Sequence, residues 1–263
     1  MLLYCGARNT SMTSPILPDS FPHPYGLLPP KVLAYESRYH PPTGGFKNPE
    51  GGYSYGPVEL EVGRLWYSLV MLHRPQFVLE TGTHQGYSTA CIAAALRLLG
   101  GKRQVVTIDP EPLAQVWADT GLDANITLVK KRSQDAKPDV DALMGEHLFD
   151  MLVLDSDHHY ETIMDEIMIY EPMLRDGGLM LFHDTLFFDG VGLAVEQVYA
   201  NPRFETMTLD TPRHHEYNTL RSPGVTLARK KRSGAPAFEF NEQHRGVFHG
   251  DVATPAILHA KLG

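Results

Sequence analysis

The stretch Phe77–Ser88, F-V-L-E-T-G-T-H-Q-G-Y-S, limits most strongly what this chain can become. Phe77, Val78 and Leu79 form an apolar run of buried-strand length, closed by an acid, Glu80. Gly82 and Gly86 follow, then a helix-forming run from Thr89 to Leu99 that Gly100 and Gly101 stop. Strand, glycine turn and helix make the first unit of a ligand-binding α/β sheet. Glycine belongs in such a turn because a ligand approaches the backbone where a Cβ would collide. The helix start adds unpaired N–H groups and the positive end of a dipole. The spacing departs from G-x-G-x-x-G, so a dinucleotide is disfavoured. Glycines also serve purely structural turns, so later segments must carry the argument.

Those segments repeat the pattern. Gln104–Asp109 (Q-V-V-T-I-D) is a second buried strand ending in an acid, and Asn125–Lys130 a third, followed by Ser133-Gln134-Asp135. An acid about 20 residues beyond a glycine turn is the usual partner of ribose hydroxyls; capping the next helix is the plainer alternative for Asp109. Phe149–Asp155 (F-D-M-L-V-L-D) is a fourth strand, apolar enough to be covered on both faces. Tyr160–Leu174 reads as an amphipathic helix with Ile163, Ile167, Tyr170 and Leu174 on one side. Leu179–Phe182 is the fifth strand and ends in His183-Asp184-Thr185. A helix over Val191–Tyr199 and strands over Phe204–Leu209 and Val225–Ala228 complete the alternation. The fold class is therefore α/β: a doubly wound, Rossmann-like sheet, mostly parallel, with helices on both faces.

Residues 1–57 are expected to form an N-terminal arm, 58–232 the main domain and 233–263 a C-terminal extension. The arm is rich in Pro, Gly and Tyr and admits no long helix. It reads either as a surface segment or as a lid with aromatic contacts. Before the first strand, Val58–His73 carries helical spacing at Leu60, Leu65, Leu69 and Leu72. The basic run Arg229–Arg232 reads as the end of an edge strand.

Ligands of open parallel sheets bind beyond the carboxyl ends of the strands. Glu80, Asp109, Asp155, Asp157, His158, His183 and Asp184 all fall there. Carboxylates gathered at one point are costly unless protonated or neutralised by a cation. Oxygen-rich sets suit Mg²⁺; one imidazole moves the preference toward Mn²⁺ or Fe²⁺. His158 has the chemistry of a general base, with a polar residue at a helix start as its bland alternative. His159 reads as bland, and His214-His215 as a weaker candidate for substrate contact.

The sequence E-x-G-x-x-x-G-Y-S, then T-I-D, S-Q-D, L-D-x-D-H and F-H-D-T resembles the class I S-adenosylmethionine methyltransferases. Within them it is most similar to the cation-dependent O-methyltransferases, of catechol and caffeoyl-coenzyme A type and, nearer, of the macrolide-sugar and cephalosporin-tailoring branch. The likeness spans about residues 58–230. It implies seven strands with an antiparallel last one, and a small hydroxylated acceptor: phenolic, sugar or secondary metabolite. It places Glu80, Gly82, Thr83, Gly86, Tyr87, Ser88, Asp109, Ser133, Gln134 and Asp155 at the S-adenosylmethionine. It also gives Asp155, His183 and Asp184 to a divalent metal, Mg²⁺ or Mn²⁺, and the substrate proton to His158. The departure is His183, where metal-binding relatives carry Asp or Glu. A metal-free O- or N-methyltransferase using His158 or His183 as base stays open, as does a cofactor-binding protein without catalysis.

The bulk chemistry excludes other classes. A net charge of −8 argues against a nucleic-acid binder. No apolar run reaches the roughly 20 residues of a membrane span. Cys5 and Cys91 give neither a disulfide framework nor zinc spacing, and the first residues lack the pattern of a secretory signal. A cytoplasmic setting is the expectation, with a homodimer as a compatible assembly.

Overall fold

The apolar runs become strands because each alternates its side chains between two separate cores. A computed structural model describes residues 28–40, 45–48, 51–54, 56–113, 115–211 and 222–248. In chain order the helices are α1 (Pro30–Glu36), α2 (Leu60–His73), α3 (Tyr87–Leu99), α4 (Lys137–Met144), α5 (Tyr160–Tyr170) and α6 (Asp189–Ala200). The strands are β1 (Tyr39–His40), β2 (Gly45–Lys47), β3 (Tyr53–Ser54), β4 (Phe77–Thr81), β5 (Gln104–Ile108) and β6 (Ile126–Val129), then β7 (Phe149–Leu154), β8 (Leu174–His183), β9 (Phe204–Leu209) and β10 (Val225–Lys230).

Seven strands form the main sheet in the order β6-β5-β4-β7-β8-β10-β9. It is parallel from β6 to β8, and β10 runs antiparallel to both of its neighbours. Val78, Met151 and Val153 face a core shared with α1, α2 and α3. Leu79, Leu152 and Leu154 face the other core, under α4, α5 and α6. This period of two covers both faces of the sheet with helices.

Several boundaries differ from the sequence reading for identifiable reasons. In α2 the buried stripe is Val62, Trp66 and Val70, spaced by four, while Leu72 is 81% exposed. The large indole, and not the leucines, sets the phase of this helix. Leu60, Leu65 and Leu69 lie on its flank. Helix α5 ends at Tyr170; Glu171–Met173 continue as a 3₁₀ turn containing Pro172, and Leu174 opens β8. A proline in place of an N–H donor favours that stop. Strand β8 is much longer than Leu179–Phe182, because Leu174 also pairs with β7 and Arg175–Gly178, with Gly177 at φ +78°, form the irregular link between the two stretches of register. The arm holds a seven-residue helix and a three-stranded antiparallel sheet. Tyr35 and Phe46 from it stack at 4.5 Å and are buried.

The run Arg229–Arg232 is also corrected. Its first two residues close β10, which lies between β8 and β9 and is no edge strand. Lys230 is buried, with Nζ donating to the carbonyls of Leu174 (2.7 Å) and Glu171 (3.0 Å) and 2.9 Å from Glu171 Oε1. Arg203 donates to the same carboxylate at 2.6 Å and to Pro236 O at 2.8 Å. Glu171 thus neutralises two buried cations. Glu171→Ala should destabilise the protein by about 3–5 kcal/mol, because it strands both charges. Urea unfolding measures this; a loss below about 1 kcal/mol would mean that the charges find other partners.

Candidate active site

Strand order reverses between β4 and β7, where an open α/β sheet offers a crevice. A cavity of about 620 Å³ opens there, within the size range of small-molecule sites. Gly82, at φ +82°, stands so close to β7 that a Cβ would lie 1.9 Å from the Asp155 carbonyl oxygen. The glycine therefore lets the turn after β4 meet the end of β7.

Gly82, Asp109, Ser133, Gln134, Asp155, His158 and Asp184 all line this cavity. The Asp109 carboxylate accepts from the backbone N–H groups of His84 (2.7 Å) and Glu111 (2.8 Å), tying together two of the loops around the opening. Ser133 and Gln134 lie on a 3₁₀ turn after β6, held by Tyr170 Oη donating to Ser133 O at 2.6 Å. Thr83, Gly86, Tyr87 and Ser88 border a narrower cleft shared with Gly56, Pro57 and Val58.

Tyr87 turns its hydroxyl away from the cavity, while Glu80 keeps one carboxylate oxygen, Oε1, without a hydrogen-bond partner. Glu80 is buried beneath the turn, where its carboxylate accepts from Thr89 and Thr107. The Tyr87 hydroxyl donates to Glu36 at 2.7 Å, and its ring packs against Tyr35 and Phe46. Tyr87 serves the core because the first helical turn lies under the arm. His159 is half-buried and paired with Asp157, and His214-His215 fall outside the described residues.

The ends of β7 and β8 bring together Asp155, His158, His183 and Asp184. Among the described residues, Asp155, His158 and Asp184 offer ligand atoms within 4.8 Å of one another. Asp184 holds a left-handed backbone, φ +57°, a conformation that Asp tolerates better than most residues. His158 Nε2 lies 3.1 Å from Asp184 Oδ2 and 3.7 Å from Asp155 Oδ1 without an aligned hydrogen bond to either. Such an atom, buried and facing two carboxylates off-axis, suits a donor sharing one cation with them. His183 lies behind, with Nδ1 3.2 Å from Asp155 Oδ1 and 3.3 Å from Asp184 Oδ2.

Residues 79–185 match the sequence profile of a methyltransferase domain. The chain is 29% identical over 182 residues to catechol O-methyltransferase of Sus scrofa, covering 66% of this chain and 93% of that enzyme. It is 32% identical over 145 residues to catechol O-methyltransferase B of Danio rerio, covering 52% of this chain and about half, 53%, of the relative's length. An O-methyltransferase from Bacillus cereus, solved with S-adenosylhomocysteine, superposes with a TM-score of 0.58 at 17% identity, over 81% of this chain and 94% of that one. One from Streptomyces achromogenes, involved in tomaymycin synthesis and solved with S-adenosylmethionine, gives 0.56 at 22% identity, over 67% and 82%. The chain carries a methyltransferase domain with the likeness of the class I, cation-dependent O-methyltransferases.

Three residues of this methyltransferase site escaped the sequence reading. His84 lines both the cavity and the cleft, at φ +47°, with a buried Nδ1 that has no hydrogen-bond partner. Its place between two glycines of the turn was the available signal. Glu59, buried before α2, lies 2.7 Å from His183 Nε2; nothing in the sequence links positions 124 residues apart. Glu166 is buried under the cavity floor, accepting from Thr81 Oγ1 (2.9 Å) and Ser156 Oγ (2.6 Å). An acid between Ile163 and Ile167 on an apolar helix face was its signal.

The protonation of the methyltransferase cluster follows from its charges. Burial alone would raise the carboxyls of Asp155 and Asp184; the His183 charge and the closeness of the His158 imidazole reverse this, and both lie below the usual range, Asp184 well below. Burial pulls the His158 imidazole down, but Asp155 and Asp184 push it up to about 9. His183 is pulled down by burial and then driven well above its ordinary value by Asp184, Asp155 and Glu59. Protons on imidazole thus balance the carboxylates where a cation would otherwise do so.

Glu166 behaves differently. Burial pushes its carboxyl up to about 7, only partly countered by hydrogen bonds from Ser133, Ser156 and Thr81. A carboxyl raised above its unfolded value lends stability below that value and loses it as pH rises through about 7. Glu166→Gln should therefore gain thermal stability over the parent at pH 8.5, and the gap should close toward pH 5. Melting curves across that range check it; a gap independent of pH would contradict the buried-carboxyl account.

Proposed function

We propose that this methyltransferase transfers the methyl group of S-adenosylmethionine to a hydroxyl of a small acceptor, with a divalent cation held at Asp155 and Asp184. The observation that carries this reading is the meeting of Asp155, His158 and Asp184 beside a cavity also lined by Gly82, Asp109 and Ser133. The donor set fits a cation, since oxygens of Asp155 and Asp184 meet beside the cavity with His183 Nδ1 3.2 Å and 3.3 Å from them. When bound, the cofactor supplies an electrophilic sulfonium methyl, and a cation lowers the pKa of a nearby hydroxyl.

The chain's own residues supply the rest. Gly82 lets the turn beside the cofactor lie against the end of β7. Asp109 reaches the ribose hydroxyls, and Ser133 and Gln134 the adenine edge. His158 takes the acceptor proton, once its own is displaced from between the two aspartates. Fixing acceptor and donor in line contributes much of the rate. The catechol O-methyltransferase relatives point to a phenolic or similarly acidic hydroxyl. Nucleic acid is a poor partner for a chain of net charge −8. Among the described residues no helix is long and apolar enough to cross a membrane.

A second reading makes His158 a metal ligand, favoured by its place in the convergent trio. His158→Ala separates the two. As the base, it should lower kcat by about 10²-fold or more while Mn²⁺ and S-adenosylhomocysteine affinities stay within about twofold. As a ligand, it should lower Mn²⁺ affinity with kcat. Chelation should abolish methyl release to a panel of catechols and other phenols, and added Mn²⁺ or Mg²⁺ should restore it. Full turnover after exhaustive chelation would favour metal-free transfer.

A further inference from the structure

Glu59 and His183 are both almost fully buried, and they meet although α2 and β8 lie far apart in the chain. Glu59 sits at the start of α2, with its carbonyl accepting from Gly63 N at 2.9 Å. Its Oε2 lies 2.7 Å from His183 Nε2. A carboxylate can only accept, so Nε2 carries the proton in that contact. The other ring nitrogen, Nδ1, faces Asp155 Oδ1 at 3.2 Å and Asp184 Oδ2 at 3.3 Å. These are also acceptors, so Nδ1 either carries a second proton or presents its lone pair to a cation that the two aspartates share.

We propose that Glu59 is a positioning residue for the metal centre: by holding Nε2–H of His183, it directs the Nδ1 lone pair at the cation bound by Asp155 and Asp184. This rests on the metal-assisted reading above. A carboxylate behind a ligating imidazole fixes its tautomer and ring angle and raises its basicity. It also accounts for a histidine where a carboxylate would serve Mg²⁺: an oriented nitrogen donor shifts the site toward Mn²⁺, Co²⁺ or Zn²⁺. Gly56, Pro57 and Val58, which border the cleft by the glycine turn, lead directly into Glu59. The same short stretch of backbone thus serves the cofactor side and the metal side.

The test is Mn²⁺ titration of the full-length chain, wild type, Glu59→Gln and Glu59→Ala, followed by the electron paramagnetic resonance of free Mn²⁺. S-adenosylhomocysteine affinity is measured in parallel. Glu59→Ala should weaken Mn²⁺ binding by about 10–100-fold. Glu59→Gln, which keeps an acceptor oxygen, should recover part of that loss, and S-adenosylhomocysteine affinity should change by less than about twofold. If the Ala variant does not fold, Co²⁺-loaded wild type and Glu59→Gln should still differ in their d–d absorption bands. Equal Mn²⁺ affinity in wild type and Glu59→Ala, or identical Co²⁺ spectra with equal affinity in the Gln variant, overturns the role of Glu59 alone. A wild-type chain that binds neither Mn²⁺ nor Co²⁺ overturns the metal reading itself.

Discussion

The close approach of Gly82 to the Asp155 carbonyl is the constraint on which the site depends. It fixes the turn after β4 against the end of β7 at the point where the sheet reverses order. The cavity, with Asp109 and Ser133 on one flank, and the acidic cluster on the other are neighbours because these two strand ends touch. A side chain at position 82 would have to push β7 away, taking Asp155 out of reach of His183 and Asp184. Fold and chemistry are therefore not separable at this residue: the packing that closes the sheet also assembles the candidate active site.

The second organising quantity is charge. Glu59, Asp155 and Asp184 place three acidic groups in a region with little water access, opposed by His158 and His183. Isolated ionised carboxylates are too costly to bury, so positive charge must arrive as protons on imidazole or as a bound cation. The two occupants compete for the same atoms. A cation that displaces the His158 proton would leave that imidazole neutral and able to accept. Metal binding and activation of the base would then be one event, which gives a physical reason for carboxylates and imidazole to share this rim.

What the sequence made legible was local. Phe77–Leu79, Gln104–Asp109 and Phe149–Asp155 read as buried strands because each centres on a short, largely apolar run, and each overlaps a strand in the main sheet. Asp155, His158, His183 and Asp184 could be gathered in advance because a parallel sheet puts its strand ends on one rim. The illegible features needed distances that a one-dimensional pattern does not contain. Leucine spacing in α2 suggested one face, while Trp66 imposed another. Lys230 read as the end of an edge strand, yet β10 lies within the sheet and Glu171 holds the lysine inside. Tyr87 sits in the turn motif but faces the arm, whose packing no periodicity announces. Glu59 had no visible tie to His183.

The C-terminal segment illustrates the same limit and adds to the site. It was expected only as an extension, yet Val247 O accepts from Tyr160 N at 2.9 Å and Phe248 O from Gly190 N at 3.0 Å. A Cβ at Gly190 would lie 2.4 Å from His158 O, 2.5 Å from Val247 O and 2.7 Å from Tyr160 N. Three stretches of backbone thus meet over one glycine: the loop carrying His158, the start of α6 and this segment. Phe188 stacks on His158 with ring centroids 4.1 Å apart, and Phe248 packs on Phe188 at 4.9 Å and on His159 at 4.6 Å. The imidazole is held between an aromatic face on one side and carboxylates on the other. A loop residue is a poor base if it wanders, because proton transfer needs hydrogen-bond distance. Here the wandering is opposed by the Phe188 ring, and that ring and the loop are in turn held by Phe248 and by backbone bonds from Val247 and Phe248, about 90 positions downstream of His158, so the C-terminal extension is part of what keeps His158 aimed.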